Sequence, residues 1–124
     1  MSAPASRALP LALAIAAALA GSPPAHAHAA LKRSTPAAQA TLDAAPREVV
    51  LTFDEPVEEA FSAVTIRSAS GKEVATARAH IDETDRTTLR LALPPLAPGA
   101  YAVRWVAVGH DGHRRTGDFG FTVR

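Results

Sequence analysis

Two short segments at opposite ends of the sequence hold the residues able to do chemistry. One is Ala25-His26-Ala27-His28, just after an apolar run, and the other is Val108-Gly109-His110-Asp111-Gly112-His113. Small residues at positions 25 and 27 suit proteolytic removal of everything up to Ala27, which makes His28 the first residue; the same rule allows a cut after Ala29, which leaves Ala30 first. With His28 first, its free amine and its imidazole can chelate one ion together. Asp111 and His113 are two residues apart, so in an extended backbone their side chains leave the same face and converge. The aspartate brings a hard anionic oxygen, or an acceptor that orients a histidine, and His113 brings a borderline nitrogen. A nitrogen-rich set with one oxygen suits the tetragonal preference of Cu(II) better than Mg²⁺ or Ca²⁺, which favour oxygen shells, and leaves Zn²⁺ open. Taken alone, Asp-Gly-His is ordinary turn chemistry.

The elements that must position these residues are those of one small exported domain. Arg7, the apolar stretch Leu9 to Ala20 and the small, turn-prone Gly21 to Ala27 have the three-part layout of a cleaved secretory signal, residues 1–27. The stretch is too short for a membrane span, which needs about 20 residues, and no Arg-Arg pair precedes it. Residues 28–124 then form a domain that buries roughly 65% of its unfolded surface on folding, enough for a core without crosslinks. The sequence has no cysteine, which excludes a disulfide scaffold and any thiolate metal site. Losing Arg7 leaves the 13 Lys and Arg one fewer, level with the 12 Asp and Glu, and no run is strongly basic, so nothing points to a nucleic-acid partner.

Alternation, not helical spacing, dominates the domain. Val49, Leu51 and Phe53 alternate with Val50 and Thr52; Val64 and Ile66 with Thr65 and Arg67; Leu89, Leu91 and Leu93 with Arg90 and Ala92. Tyr101, Val103 and Trp105 oppose Ala102 and Arg104, and Phe119, Phe121 and Val123 oppose Gly120, Thr122 and Arg124. Turn signals at Ser70-Gly71-Lys72, Asp82 to Thr84 and Pro94 to Gly99 separate these runs. Pro36 to Ala45 is the one helical candidate, a turn or two at most because prolines bound it. About seven short strands predict an all-β immunoglobulin-like or cupredoxin-like Greek key sandwich. Tyr101, just after a proline-glycine turn, suits a tyrosine corner.

Other polar residues read as structural. His80 lies in a polar stretch and is expected to be a solvated strand residue. His110 has strand parity opposite to Asp111 and His113 and is expected to face away from them. Glu58 and Glu59 read as a solvated pair, and Trp105 as core.

The order of several segments resembles the CopC family of periplasmic copper-binding proteins. The opening His28-Ala29-Ala30-Leu31 and Ser34-Thr35-Pro36-Ala37 is similar to that family's start. Val49 to Val57, with Asp54-Glu55-Pro56, resembles its second strand and acidic turn. Gly99 to Trp105, then Asp111-Gly112-His113, Gly117 and Phe121-Thr122-Val123, resemble its close. The resemblance implies one Cu(II) ion per chain, held by the amine and imidazole of His28, by His113 and by Asp111. Only the His28 start preserves the family's spacing to Leu31. Glu55 matches an acidic position implied to be an outer or weak ligand, with Asp54 as the competing candidate.

The sequence also departs from that pattern. Some members carry a methionine-built Cu(I) site, whereas the single methionine here is Met1, so no Met-based Cu(I) site is expected. Gly109 and His110 stand where serine is common, and Arg114 where proline often follows the histidine. Arg114 and Arg115 beside a cation site disfavour the metal unless they face solvent or pair with Asp118 or Glu55. The resemblance implies a monomeric, non-enzymatic periplasmic carrier that sequesters copper or delivers it to an inner-membrane importer of the CopD type. The alternatives are a small histidine-brace copper monooxygenase, for which the domain is small and aromatic-poor, and a metal-free exported immunoglobulin-like module.

Overall fold

The computed structural model describes residues 30–124 apart from Thr76, together with Ser2. The expected signal segment 1–27 and His28 therefore lie outside the described residues, apart from Ser2. From Ala30 onward the chain forms β1 (Leu31–Thr35), β2 (Thr41–Leu42), β3 (Glu48–Phe53), a single 3-10 turn (Glu59–Phe61), β4 (Ala63–Ser68), β5 (His80–Asp82), β6 (Asp85–Ala92), β7 (Gly99–Val108) and β8 (Arg114–Val123). They make two four-stranded sheets, ordered β1-β3-β6-β5 and β2-β8-β7-β4. The β2–β8 pair is parallel and the other pairs are antiparallel. This is the all-β sandwich that alternation predicts.

The core lies where the inward residues of both sheets meet. Val49, Leu51 and Phe53 of β3 and Leu89 and Leu91 of β6 face Val64 and Ile66 of β4, Tyr101, Val103, Trp105 and Ala107 of β7, and Phe121 and Val123 of β8; all are buried. Phe53 and Trp105 bridge the sheets edge to face, with ring centroids 5.1 Å apart, a geometry favoured by the ring quadrupoles. The indole lies over Gly117, where a Cβ would overlap the ring, so glycine there lets the aromatic reach the sheet. At the other end of β7 the Tyr101 hydroxyl donates to the Ala97 carbonyl at 2.5 Å, which is the tyrosine corner.

The helical reading of Pro36 to Ala45 is corrected. This segment turns at Gln39, whose φ is +63°, and then runs as β2 beside the last strand. Its backbone is spent on β8: Gln39 N–H donates to the Gly120 carbonyl, and the Ala40 carbonyl accepts from Thr122 N–H. Alanine's helix preference is a weak term, and sheet-edge hydrogen bonds that satisfy otherwise orphaned backbone override it.

Candidate metal centre

The longest hairpin places the Asp-Gly-His segment at one end of the sandwich. β7 and β8 pair over their full ten-residue lengths, from Gly99↔Val123 to Val108↔Arg114. Beyond Val108, Gly109 N–H donates to the His113 carbonyl at 3.0 Å and Gly112 N–H donates to the Gly109 carbonyl at 2.9 Å. Gly112 follows at φ +83°. A turn closed in this way and followed by a left-handed glycine is a three-residue hairpin loop with a glycine bulge.

This loop changes the reason Asp111 and His113 converge. They are not alternate residues of an extended strand, as their spacing suggests. Asp111 Oδ1 accepts from the His113 backbone N–H at 3.0 Å, and Oδ2 lies 3.3 Å from His113 Nδ1. The aspartate thus folds onto the histidine two residues ahead, as Asx turns do. Both side chains remain substantially open to solvent.

A second loop carries carboxylates to the same place. Val57 bridges to Gly109, Glu58 N–H donates to the Val108 carbonyl, and His110 N–H donates to the Pro56 carbonyl, so the acidic turn after β3 is laced to the hairpin tip. Glu55 then projects its carboxylate over Gly109. A Cβ at 109 would overlap Glu55 Oε1 outright and stand 2.9 Å from Asp111 Oδ1, so the two oxygens lie within about 5 Å of each other. Glu55 Oε1 is buried and has no hydrogen-bond partner among the described residues. Such an atom loses its hydration with nothing in return, and in a native protein calls for an explanation.

Asp54, the competing candidate, is otherwise engaged. Its Oδ1 accepts from Ala30 N–H at 2.7 Å, and its own N–H donates to the Ala30 carbonyl at 3.0 Å. It fastens the first residue of the described chain beside the turn that carries Glu55. His110 points elsewhere, its Nδ1 3.1 Å from Glu58 Oε1, and His80 is an exposed residue of β5. Glu58 and Glu59 are not an idle solvated pair: Glu59 Oε1 accepts from Ile81 N–H at 2.6 Å, tying the 3-10 turn to β5. Arg114 is exposed. Arg115 is half-buried, and its Nε is the second buried polar atom without a hydrogen-bond partner among the described residues.

Among the described residues no three His, Cys, Asp or Glu side chains gather as a ready metal cluster. Asp111 and His113 supply a carboxylate and an imidazole, and Glu55 a further carboxylate nearby. His28 lies outside the described residues.

The sequence pattern of the CopC domain matches residues 31–124. The chain belongs to the CopC family. Protein YobA of Escherichia coli is 38% identical over 120 residues, covering 96% of this chain and 97% of YobA. The crystal structure of CopC from Methylosinus trichosporium OB3b superposes with a TM-score of 0.73 at 34% identity, covering 77% of this chain and 93% of that one. PcoC, a methionine-rich copper resistance protein of Escherichia coli, gives 0.70 at 34% identity, covering 79% of this chain and 100% of PcoC. Against that methionine-rich relative, this CopC-family chain has one methionine, Met1. Arg115 follows Phe121, Phe119 and Gly117 back along the inward face of β8, and among the described residues it forms no ion pair with Asp118 or Glu55.

Proposed function

We propose that this chain is a periplasmic Cu(II)-binding protein, exported by a cleaved signal of residues 1–27, that takes one ion at the end of the sandwich where β1 begins and the β7–β8 hairpin turns. The ligands are the amine and imidazole of His28, the imidazole of His113 and the carboxylate of Asp111, with Glu55 as an outer or weak ligand. The observation that carries this reading is the buried, unpartnered Glu55 oxygen beside Asp111. Two carboxylates so close repel each other, and a cation is the partner that turns their juxtaposition into an attraction.

The donor set fits a cupric ion. A proton on His113 Nδ1, shared with Asp111, leaves Nε2 as the ligating nitrogen and fixes the ring's direction. Ala30 is fastened to Asp54, the sequence neighbour of Glu55, and two residues of extended chain reach at most about 7 Å, which supports His28 as the source of the remaining ligands. The relatives named for copper resistance support copper as the cargo. The ion is carried, not used: the chain sequesters it or hands it to an inner-membrane importer of the CopD type.

The test is mass spectrometry of the exported protein followed by Cu(II) titration and electron spin resonance on the same sample. A chain starting at His28, one equivalent of copper and hyperfine structure from nitrogen donors are expected. Placing one extra residue before His28 removes the chelating amine and should abolish tight binding; affinity that survives the extension refutes the proposal. Binding should also weaken in acid, because protons compete with the metal for the amine and both imidazoles.

A further inference from the structure

The solvent-facing side of the β2-β8-β7-β4 sheet turns apolar at the end where the β7–β8 hairpin closes. Outward residues of such a sheet are ordinarily polar, yet the last two outward positions of β7 are Val106 and Val108, half-buried and outside the core cluster. Val106 opposes Ala63 of β4, which is exposed, and Phe61, two residues earlier, is 70% exposed, the one large apolar side chain so exposed among the described residues. The turn that displays Phe61 is fastened: its N–H donates to the Glu58 carbonyl at 3.2 Å, and Ser62 Oγ accepts from Val108 N–H at 3.1 Å. Single exposed apolar residues are commonplace, whereas a continuous patch with a polar rim marks an interaction site. Here the rim is basic. Arg104 lies two residues before Val106 on the same face, and Arg114 opposes Val108. Both are exposed, and neither forms an ion pair with a described residue, Asp118 opposite Arg104 included. Across β4, β7 and β8 that aspartate is the only carboxylate, against outward Arg67, Arg104 and Arg114.

We propose that this patch is the docking surface for the protein that receives the copper, a partner whose matching face is apolar at its centre and rimmed by carboxylates. This rests on the copper-binding reading of the hairpin tip. Arg114 directly follows His113, so a partner seated over Val106 and Val108 abuts a proposed ligand. Two unpaired guanidiniums beside a cation site are an electrostatic cost to the ion. Their charge suits the receiver instead: a surface that takes up a cation carries anionic donors, and arginines steer such a surface into register. Guanidinium also pairs with carboxylates in a fixed fork. An exposed aromatic with arginines around it is the composition of an interface anchor.

The experiment uses the exported protein and spheroplasts of its native host lacking the chain. Phe61→Ser and Arg104→Glu should keep the parent's Cu(II) affinity and urea midpoint, yet pass copper to the spheroplasts about tenfold more slowly, the scale of losing one interface anchor. Arg47→Glu, which makes the same charge change at an exposed residue just before β3, should transfer at the parent rate. Copper-free chain carrying a fluorophore should bind the spheroplasts saturably, and Phe61→Ser or protease treatment of the spheroplasts should abolish that binding. Parent-rate transfer from both patch variants, or equal slowing by Arg47→Glu, overturns the proposal. So does binding that survives protease or is reproduced by phosphatidylglycerol vesicles, which makes the partner a lipid, or sedimentation showing that Phe61 pairs two copies of the chain. The copper-free binding separates the two readings: if the parent binds no copper, the metal proposal fails, whereas protease-sensitive binding through Phe61 still decides whether the patch docks a protein.

Discussion

Gly109→Ala tests the site without altering any charged group. A methyl at 109 would overlap Glu55 Oε1, stand 3.0 Å from Glu55 Cδ and come within 2.9 Å of Asp111 Oδ1, against the 3.4 Å at which ordinary contact begins. The Asp111 oxygen must yield by about 0.5 Å and the Glu55 carboxylate by more than about 1 Å. Glu55 can move because its carboxylate ends a flexible side chain. Gly109 has no left-handed φ, so alanine adds no backbone strain and relieves some unfolded-state entropy, worth about 0.4–1 kcal/mol. The fold should survive with its urea midpoint close to the parent's.

Copper should not be held as well. Displacing a carboxylate that supports a metal site costs about 10–100-fold in affinity, and that is the loss expected in Cu(II) titration of Gly109→Ala. Glu55→Gln should lose affinity as well, because its carboxylate no longer meets the ion. Parent affinity in Gly109→Ala, with the fold intact by urea unfolding, would refute the assignment of Glu55 to the site and with it the explanation of the buried oxygen.

Three further outcomes follow from the same structure. Gly112→Ala forces a side chain into a left-handed conformation at φ +83°, costing about 1–2 kcal/mol; thermal unfolding should show the loss, and the loosened Asp111–His113 turn should bind copper less tightly. Tyr101→Phe removes the hydrogen bond to Ala97 at the other end of the sandwich, so stability should fall by about 1 kcal/mol while copper titration stays as in the parent. In acid, hydrogen bonds from Thr84 and then Arg90 hold the Asp82 carboxyl well below its ordinary 3.8, and hydrogen bonds from Thr87 hold Asp85 below its own. The unfolded chain therefore takes up these protons first, and the stability both groups confer, complete above pH 3.8, is lost as pH falls through and below it. Asp82→Asn should flatten that acid limb of a urea-midpoint profile.

The strands that cross the core were legible because burial leaves a mark of period two. β3, β4, β6, β7 and β8 each bury one face against the opposite sheet, and Val49-Leu51-Phe53 or Tyr101-Val103-Trp105 cannot alternate that way without a partner layer. β1, β2 and β5 left no such mark. They are short edge elements with few buried side chains, defined by backbone hydrogen bonds that any sequence can make, which is why an alanine-rich segment read as a helix became the edge beside β8.

The candidate site was legible as residue types and not as geometry, and the reason is physical. Asp111 and His113 announce themselves as ligand chemistry, and Glu55 entered only through the family resemblance, but spacing alone proposed an extended strand where a left-handed Gly112 makes a turn and a backbone hydrogen bond draws the aspartate onto the histidine. What spacing could not express is the cost. The folded chain keeps a Glu55 oxygen and the Arg115 Nε buried and, among the described residues, without hydrogen-bond partners, and such atoms lose their hydration with nothing in return. The Glu55 oxygen lies close to Asp111, and the glycine at 109 leaves it the room. Burial without a partner costs stability, so a carboxylate oxygen held this way beside the aspartate–histidine turn is what supports the proposed cation there.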